Sequence, residues 1–266
     1  IKYNSLFQII NQCNTIIGKR YLRNILLNPI LDIEQLKHKY NQIDEMRKDK
    51  IYLKYSAQLK HVCDLERIQR KLSLCLLHPF EFVILDSSYE RVCNIIKLWK
   101  NNSTINYEIN EISELMKYYA NIFNIEEMYK YSLKDLHSSF FNKGHYPEID
   151  NLQEEMNAKL DALEAYAKYM SDFIDKEGKC AKLEKTDKEG YYIFMTNKRF
   201  EILKKKCSDN TFKTNNIAFE FHKLKIKKLN NNVKLTCPVI CEISNKIMKS
   251  KEQMRILMKE AYHETC

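Results

Sequence analysis

Apolar residues recur at helical spacing through most of the first 141 positions. These residues form three apolar stripes, and a proline follows two of them: Pro29 follows the first stripe and Pro79 the third. The residue before a proline disfavours helix, so a helix is expected to end there. Asp64 stands directly before the third stripe, where its carboxylate is suited to cap a helix. The three stripes are Ile16, Ile17, Leu22, Ile25 and Leu26; Ile33, Leu36, Tyr40 and Ile43; and Leu65, Ile68, Leu72 and Leu76. The pattern predicts a helical core over residues 1–146.

Two longer stripes with coiled-coil-like spacing lie in the second half of the chain. The first lies in a stretch from Pro147 to Ile174 that is about 28 residues long, or about 40 Å as a helix. Its members are Leu152, Met156, Leu160, Leu163, Ala167, Met170 and Ile174, and those of the second are Ile240, Ile243, Ile247, Met254, Leu257 and Ala261. Each stripe needs an apolar partner, and the other stripe supplies it. We therefore predict two antiparallel lever helices, at 147–178 and 239–266.

The segment between these helices, residues 179–238, changes to a strand-like period. Gly190 introduces the aromatic, β-rich run 191–196, and Ile217, Phe219 and Phe221 alternate with other residues as in a half-buried strand. The alternation changes parity near His222, which predicts a bulge or a break there. Lysines then alternate with apolar residues up to a turn at 229–232, and a partner strand follows. The fold class is therefore mainly α, with a small β-containing insertion carried by the long helices.

Positive charge is concentrated in this insertion. The chain carries a net charge of +9, and residues 179–234 hold 15 basic and 6 acidic side chains, which accounts for all of the excess. Attraction to nucleic-acid phosphate is the simplest use of such a segment. A solvated lysine surface is the alternative.

Several function classes find no support in the residues. The four glycines are too far apart for a phosphate-binding loop, and no C-x-x-C pair occurs. Cys237 and Cys241, with His222 and His263, are the only candidates for a metal site, and buried free thiols suit the cysteines better. We expect no metal, no cofactor and no catalysis in this chain. Without an apolar leader or a run of eighteen apolar residues, it is expected to be intracellular and not membrane-bound.

Three stretches resemble the MutS family of DNA mismatch-repair proteins. Ser5-Leu6 followed by residues 14–23 and 26–29 is similar to the S-L…T-x-x-G-x-R-x-L-R-x-x-L-x-x-P signature at the start of the family's core. Residues 64–67 read D-L-E-R, with Pro79 beyond them, as on the next core helix of the family. Residues 190–193 read G-Y-Y-I, like the strand that enters the family's clamp. Their order and spacing agree with the family.

The resemblance implies a lever-and-clamp section that holds duplex DNA by its backbone. ATP and Mg²⁺ would be bound by another domain of the full-length protein, through which that protein would dimerise. The family's arginine-rich clamp segment appears here with lysines, and the mismatch-reading Phe-x-Glu is absent, so the chain is expected to be an excised piece of a divergent member. Our candidate DNA contacts are the basic and amide side chains Lys198, Arg199, Lys225, Lys227, Lys228, Asn230, Asn231 and Lys234. A helical scaffold for protein partners, with a basic insertion, is the open alternative.

Other residues of these stretches have structural interpretations. Gly18 within a helix predicts a close helix contact. Asp64, Glu66 and Arg67 are expected to cap a helix and to form salt bridges. A second basic run, Lys204 to Lys206, is either a further candidate for phosphate contact or only a solvated loop.

Overall fold

The structure, a computed structural model, describes residues 4–100, 110–175, 180–186, 189–206, 211–214, 217–220 and 223–266. The chain forms two compact units. The first contains the described residues of 1–135, 140–145 and 262–266, and the second contains 136–139 and those of 146–261.

The first unit is helical, and side chains cap most of its helix starts. Ser5, Thr15, Asp32, Asp64 and Asn124 each accept a hydrogen bond from a backbone N–H of the first turn that follows. The helices are Leu6–Ile10 (α1), Ile16–Leu27 (α2), Ile33–Arg47 (α3), Tyr52–Leu59 (α4), Leu65–Ser73 (α5), Pro79–Lys100 (α6), Asn110–Ile122 (α7) and Ile125–Met128 (α8), with a 3-10 turn at Lys48–Lys50.

Aromatic rings fill the centre of this unit. Phe123 contacts rings on several sides, and Tyr262, from the end of the last helix, lies 5.9 Å from it between ring centroids. The cluster consists of Phe82, Tyr119, Phe123, Phe140, Phe141 and Tyr262, all of which are buried. By contrast, the structure shows no buried residue in α1, α2 or α3.

The prediction that the third stripe continues to Leu76 is wrong. Helix α5 ends at Ser73, and Cys75 takes a positive φ of 54°, a conformation that commonly ends helices. The turn changes the side-chain register, so that Leu77 is 1% exposed and Leu76 is 58% exposed.

The described residues of the second unit form three helices and six strands. The helices are Pro147–Ile174 (α9), Asn197–Lys206 (α10) and Pro238–Thr265 (α11), whose last turn belongs to the first unit. The strands are Lys182–Thr186 (β1), Gly190–Thr196 (β2), Thr211–Thr214 (β3), Ile217–Glu220 (β4), Lys225–Lys228 (β5) and Asn232–Thr236 (β6). Four of them form an antiparallel sheet in the order β1-β2-β6-β5, and β3 pairs with β4 in a separate ribbon.

Helices α9 and α11 run antiparallel within this unit. The Tyr146 hydroxyl, before α9, donates to the Ala261 carbonyl near the end of α11 (3.3 Å), and Leu152 and Leu257 line one groove. At the other end, the second half of α9 and the first half of α11 share an apolar core with the sheet. Its members include Leu163, Met170, Ile174, Ile193, Met195, Phe200, Val233, Leu235, Ile240 and Ile247.

The prediction of a mainly helical fold with a small β-containing part is confirmed. The sequence did not reveal β1, β3 or α10. The predicted break at His222 lies outside the described residues, between β4 and β5. The division into core, levers and clamp stays a prediction.

Candidate nucleic-acid interface

The four-stranded sheet is attached to α11 where the G-Y-Y-I stretch begins. Gly190 has a φ of +72°, and a Cβ built on it would lie 2.3 Å from the Ser244 hydroxyl oxygen of α11. The Tyr191 N–H donates to the same oxygen at 2.9 Å. Glycine is required here for both its conformation and its size, because the strand backbone approaches the helix closely.

Strand register divides the sheet into two faces. Ile193 pairs with Leu235, and Leu235 with Ile226, so these side chains share one face; Ile193 and Leu235 are buried there in the apolar core. The opposite, outer face is largely polar. It is formed by Lys182, Glu184, Tyr192, Phe194, Thr196, Lys225, Lys227, Asn232, Lys234 and Thr236.

Three of the eight predicted contacts lie on this outer face, namely Lys225, Lys227 and Lys234. Lys227 and Lys234 are direct cross-strand partners. Both donate to Glu189, at 2.6 Å from Lys227 Nζ and 3.0 Å from Lys234 Nζ. The Lys234 ammonium also lies 4.2 Å from the centre of the Tyr192 ring, and its side chain is only 18% exposed. The geometry therefore holds Lys234 against the sheet.

The hydrogen bonds between the lysines and Glu189 shift pKa values at this site. They lower the pKa of the Glu189 carboxyl, with the larger effect from Lys227. The Lys234 ammonium has a raised pKa, chiefly because it donates to Glu189. Glu189 and Lys234 therefore both stay charged near neutral pH.

Four further candidates meet at the turn end of the β5–β6 hairpin. Asn197, the first residue of α10, donates its backbone N–H to the Asn231 carbonyl and its side-chain amide to the Asn230 carbonyl, both at 3.1 Å. These bonds hold the turn beside the start of α10, where Lys198 and Arg199 follow. Lys198, Asn230 and Asn231 are exposed, and Arg199 is partly exposed.

Lys228 is placed differently from Lys225 and Lys227. It pairs with Val233, so its side chain starts on the face that carries Ile226, but it is exposed because β5 is the edge strand. No ion pair or hydrogen bond holds the ammonium group of Lys225 or Lys228 within the described part of the chain.

Lys204 to Lys206 do not form a loop, so that alternative for the second basic run is wrong. These residues form the last turn of α10. Lys206 Nζ donates to the Phe173 and Ile174 carbonyls, at 3.2 and 3.1 Å, and so satisfies the C-terminal end of α9.

Sequence reasoning missed Glu189, Tyr192 and Asn197. Glu189 directly precedes the G-Y-Y-I stretch and is one of few acids in the basic segment, but only strand pairing shows that it faces two lysines. Tyr192 could have been assigned to the outer face from alternation alone. The contact of Asn197 depends on α10, which the pattern did not reveal.

The first two family-like stretches meet in the first unit. Arg20 donates to both carboxylate oxygens of Asp64, at 2.9 and 2.6 Å, and to Glu66 at 2.6 Å. Asp64 also caps α5 by accepting from the Arg67 N–H at 3.4 Å. The expected capping and salt bridges of Asp64 and Glu66 are therefore present.

The nearest contacts at Gly18 are with residues that directly precede its own helix. A Cβ on Gly18 would meet the Thr15 hydroxyl at 2.9 Å. That hydroxyl accepts the Gly18 N–H, so the close approach is to the helix's own N-cap.

Among the described residues, no cluster of three His, Cys, Asp or Glu side chains could hold a metal ion. The Cys237 thiol is buried and accepts from the Ile240 N–H, whereas Cys241 is exposed. None of the described helices has the length and hydropathy needed to cross a bilayer.

Comparison with known proteins identifies a family match over nearly the whole chain. The family model for MutS domain III matches residues 2–259. A putative DNA mismatch repair protein mutS homolog of Acanthamoeba polyphaga mimivirus is 29% identical over 219 residues, covering 76% of this chain and 19% of that protein. The mitochondrial DNA mismatch repair protein mutS homolog of Sarcophyton glaucum is 25% identical over 272 residues, covering 99% and 26%. DNA mismatch repair protein MutS of Borrelia hermsii is 25% identical over 180 residues, covering 67% and 20%. The chain spans about a fifth to a quarter of the length of these relatives.

Proposed function

The chain belongs to the MutS family, and from that premise we propose that it is the lever-and-clamp section of a longer DNA mismatch-repair protein. In this proposal the sheet and the start of α10 hold duplex DNA through its phosphate backbone. The long helices α9 and α11 relay the nucleotide state to the sheet. ATP and Mg²⁺ are bound by another domain of the full-length protein, which also forms the dimer.

One observation carries the DNA-binding part of the proposal. The basic side chains Lys198, Lys225 and Lys228 are exposed around one β-hairpin and the helix start beside it, and none is neutralised by a described acidic group. Lysine ammonium groups are suited to phosphate as point charges. Asn230 and Asn231 are exposed in the turn between β5 and β6, so amide donors are available at the turn end of the hairpin.

The relay rests on how the sheet is attached to the helices. The bond from Tyr191 to Ser244 and the absence of a side chain at Gly190 bring β2 directly onto α11. The Lys206 contacts connect α10 to the end of α9. A shift of one helix against the other would therefore move the hairpin.

A helical scaffold that binds an acidic protein partner is the second candidate. The exposed apolar side chains of the first three helices favour it, including Leu6, Ile9, Tyr21, Leu27 and Ile33. In that case, the lysines of the hairpin would have no role in DNA binding.

DNA titrations at several salt concentrations separate the two candidates. The chain should bind a fluorescent duplex weakly, with a dissociation constant of about 10⁻⁴ to 10⁻⁶ M near physiological salt. With about three to five phosphate contacts, the logarithm of affinity should fall with the logarithm of salt with a slope of roughly −3 to −4. A mismatched duplex should bind no better than a matched one. A chain that binds no duplex at low salt would overturn the proposal in favour of the scaffold.

A further inference from the structure

Glu189 binds two of the lysines that are candidates for contact with DNA phosphate. It lies on the outer face of the sheet, and its two carboxylate oxygens accept separate hydrogen bonds from Lys227 and Lys234. A carboxylate and a phosphate are both anions with several acceptor oxygens, so they suit the same ammonium donors.

The two lysines would form an anion site without it. Lys227 and Lys234 stand directly opposite each other on neighbouring strands, and like charges in that position repel. Glu189 removes the repulsion by lying within hydrogen-bond distance of both. The Tyr192 ring is a second contact of the Lys234 ammonium, at 4.2 Å from the ring centroid, and does not depend on Glu189.

We propose that Glu189 is a built-in competitor of DNA, which occupies the Lys227–Lys234 anion site and withholds both lysines from the phosphate backbone. This inference rests on the proposed DNA-binding function and names a further determinant of it. The unpaired Lys225 and Lys228 then make the first contacts, and the paired lysines contribute only when a phosphate displaces the carboxylate. Glu189 is 38% exposed in its side chain, so a phosphate can approach it from solvent.

Removing the charge of Glu189 should increase the affinity for DNA. Glu189→Gln preserves the side-chain shape and removes the charge, so it should strengthen duplex binding by about three- to tenfold and make the salt slope steeper by about 0.9 for each lysine released. Fluorescence anisotropy with a labelled duplex over a salt series measures both quantities. Far-ultraviolet circular dichroism should be unchanged, because the side chain lies at the surface.

Glu252→Gln is the matched control. Glu252 also accepts a hydrogen bond from a cation, Arg255, at 2.5 Å, and the substitution changes the net charge by the same amount. It lies on α11 eight residues beyond Ser244, or about 12 Å along the helix. Its substitution should leave the salt slope unaltered.

A double-mutant cycle separates two effects of Glu189→Gln: release of the lysines, and loss of the repulsion between the Glu189 charge and DNA. If Glu189 withholds Lys227, then Lys227→Gln should reduce DNA affinity at least about three times more in the Glu189→Gln background than in the natural chain. Equal losses in both backgrounds would mean that Glu189 acts only through its own charge, and would overturn the inference. So would a Glu189→Gln chain whose affinity and slope match those of the Glu252→Gln control.

These outcomes are distinct from failure of the proposed function. If neither the natural chain nor Glu189→Gln binds duplex DNA at low salt, the DNA-binding function itself is wrong. Binding by the natural chain without a gain in the variant overturns only the role of Glu189. Binding that appears only after the substitution would support the role of Glu189 but contradict DNA binding by the natural chain.

Discussion

Arg20 and Asp64 form a two-bond ion pair, with Nη1–Oδ2 and Nη2–Oδ1 distances of 2.9 and 2.6 Å, which joins α2 to the start of α5. These residues belong to two separate family-like stretches, 44 positions apart in sequence. The pair gives the charged residues of both stretches a structural role: Asp64 caps α5 and also binds Arg20 of α2.

The pH dependence of stability should report this pair. Hydrogen bonding from Arg20 lowers the pKa of the Asp64 carboxyl in the folded chain. The pair therefore contributes fully above the unfolded value of about 3.9, and its contribution is lost as pH falls through the lower folded pKa. Asp64→Asn keeps a good N-cap but has no charge, so the difference in Tm between the natural chain and this variant should shrink as pH falls below about 4.

Asp64→Ala supplies the control, because it removes the cap as well. It should lower the free energy of unfolding by about 1 kcal/mol more than Asp64→Asn does, at any pH. Thermal unfolding followed by circular dichroism measures both variants. A Tm difference between the natural chain and Asp64→Asn that stays constant from neutral pH to about pH 2 would contradict the role of the pair.

Substitution of Gly190 should be far more costly than that of another glycine with positive φ. Gly190→Ala introduces a Cβ 2.3 Å from the Ser244 hydroxyl oxygen in addition to its strained φ of +72°. Gly144 has a φ of +95°, and nothing lies within 4 Å of the equivalent Cβ. We expect a loss of about 1–2 kcal/mol for Gly144→Ala, from backbone strain alone, and clearly more for Gly190→Ala. Urea unfolding tests this order, and equal losses would show that β2 does not approach α11 closely.

Two isoleucines of α11, one buried and one exposed, should differ in how much they contribute to stability. Ile247 is 0% exposed within the core that α9, α11 and the sheet share, whereas Ile256 is 48% exposed. Ile247→Ala should destabilise the chain by about 2–5 kcal/mol, because it leaves a cavity. Ile256→Ala should cost less than about 1 kcal/mol. Denaturant unfolding of both variants measures the loss in the free energy of unfolding. A similar loss for the two would contradict the assignment of the buried face of α11.

The sequence alone predicted the elements that have a single, strong period. The stripe from Leu152 to Ile174 corresponds to α9, and Pro147 and Pro238 mark the starts of both long helices, as N-terminal prolines do. The alternation at Val233 and Leu235 likewise predicted β6. In each case one face is buried along the element. Apolar residues therefore recur in the sequence with the period of that element.

The missed elements lack that signal. Helix α10 buries only Phe200 and Leu203 among its ten residues and is otherwise polar, so its period is weak. The candidate lysines could be found from composition, but their division between free and paired groups depends on strand register. Lys225 and Lys227 differ in sequence by two positions, and only the position of Glu189 separates the unpaired one from the paired one.

The proposal that the unpaired lysines of β5, Lys225 and Lys228, contact DNA is tested most directly by reversing their charge. Lys225→Glu/Lys228→Glu should be compared with Lys204→Glu/Lys205→Glu, which changes the net charge equally at exposed sites about 10 Å along α10 from Asn197. At about 0.1 M salt the Debye length is about 10 Å, so remote charges act weakly. Duplex affinity by fluorescence anisotropy should fall at least about tenfold for the β5 variant and less than about threefold for the α10 variant. A β5 variant that binds like the natural chain, or equal losses in both variants, would contradict the claim.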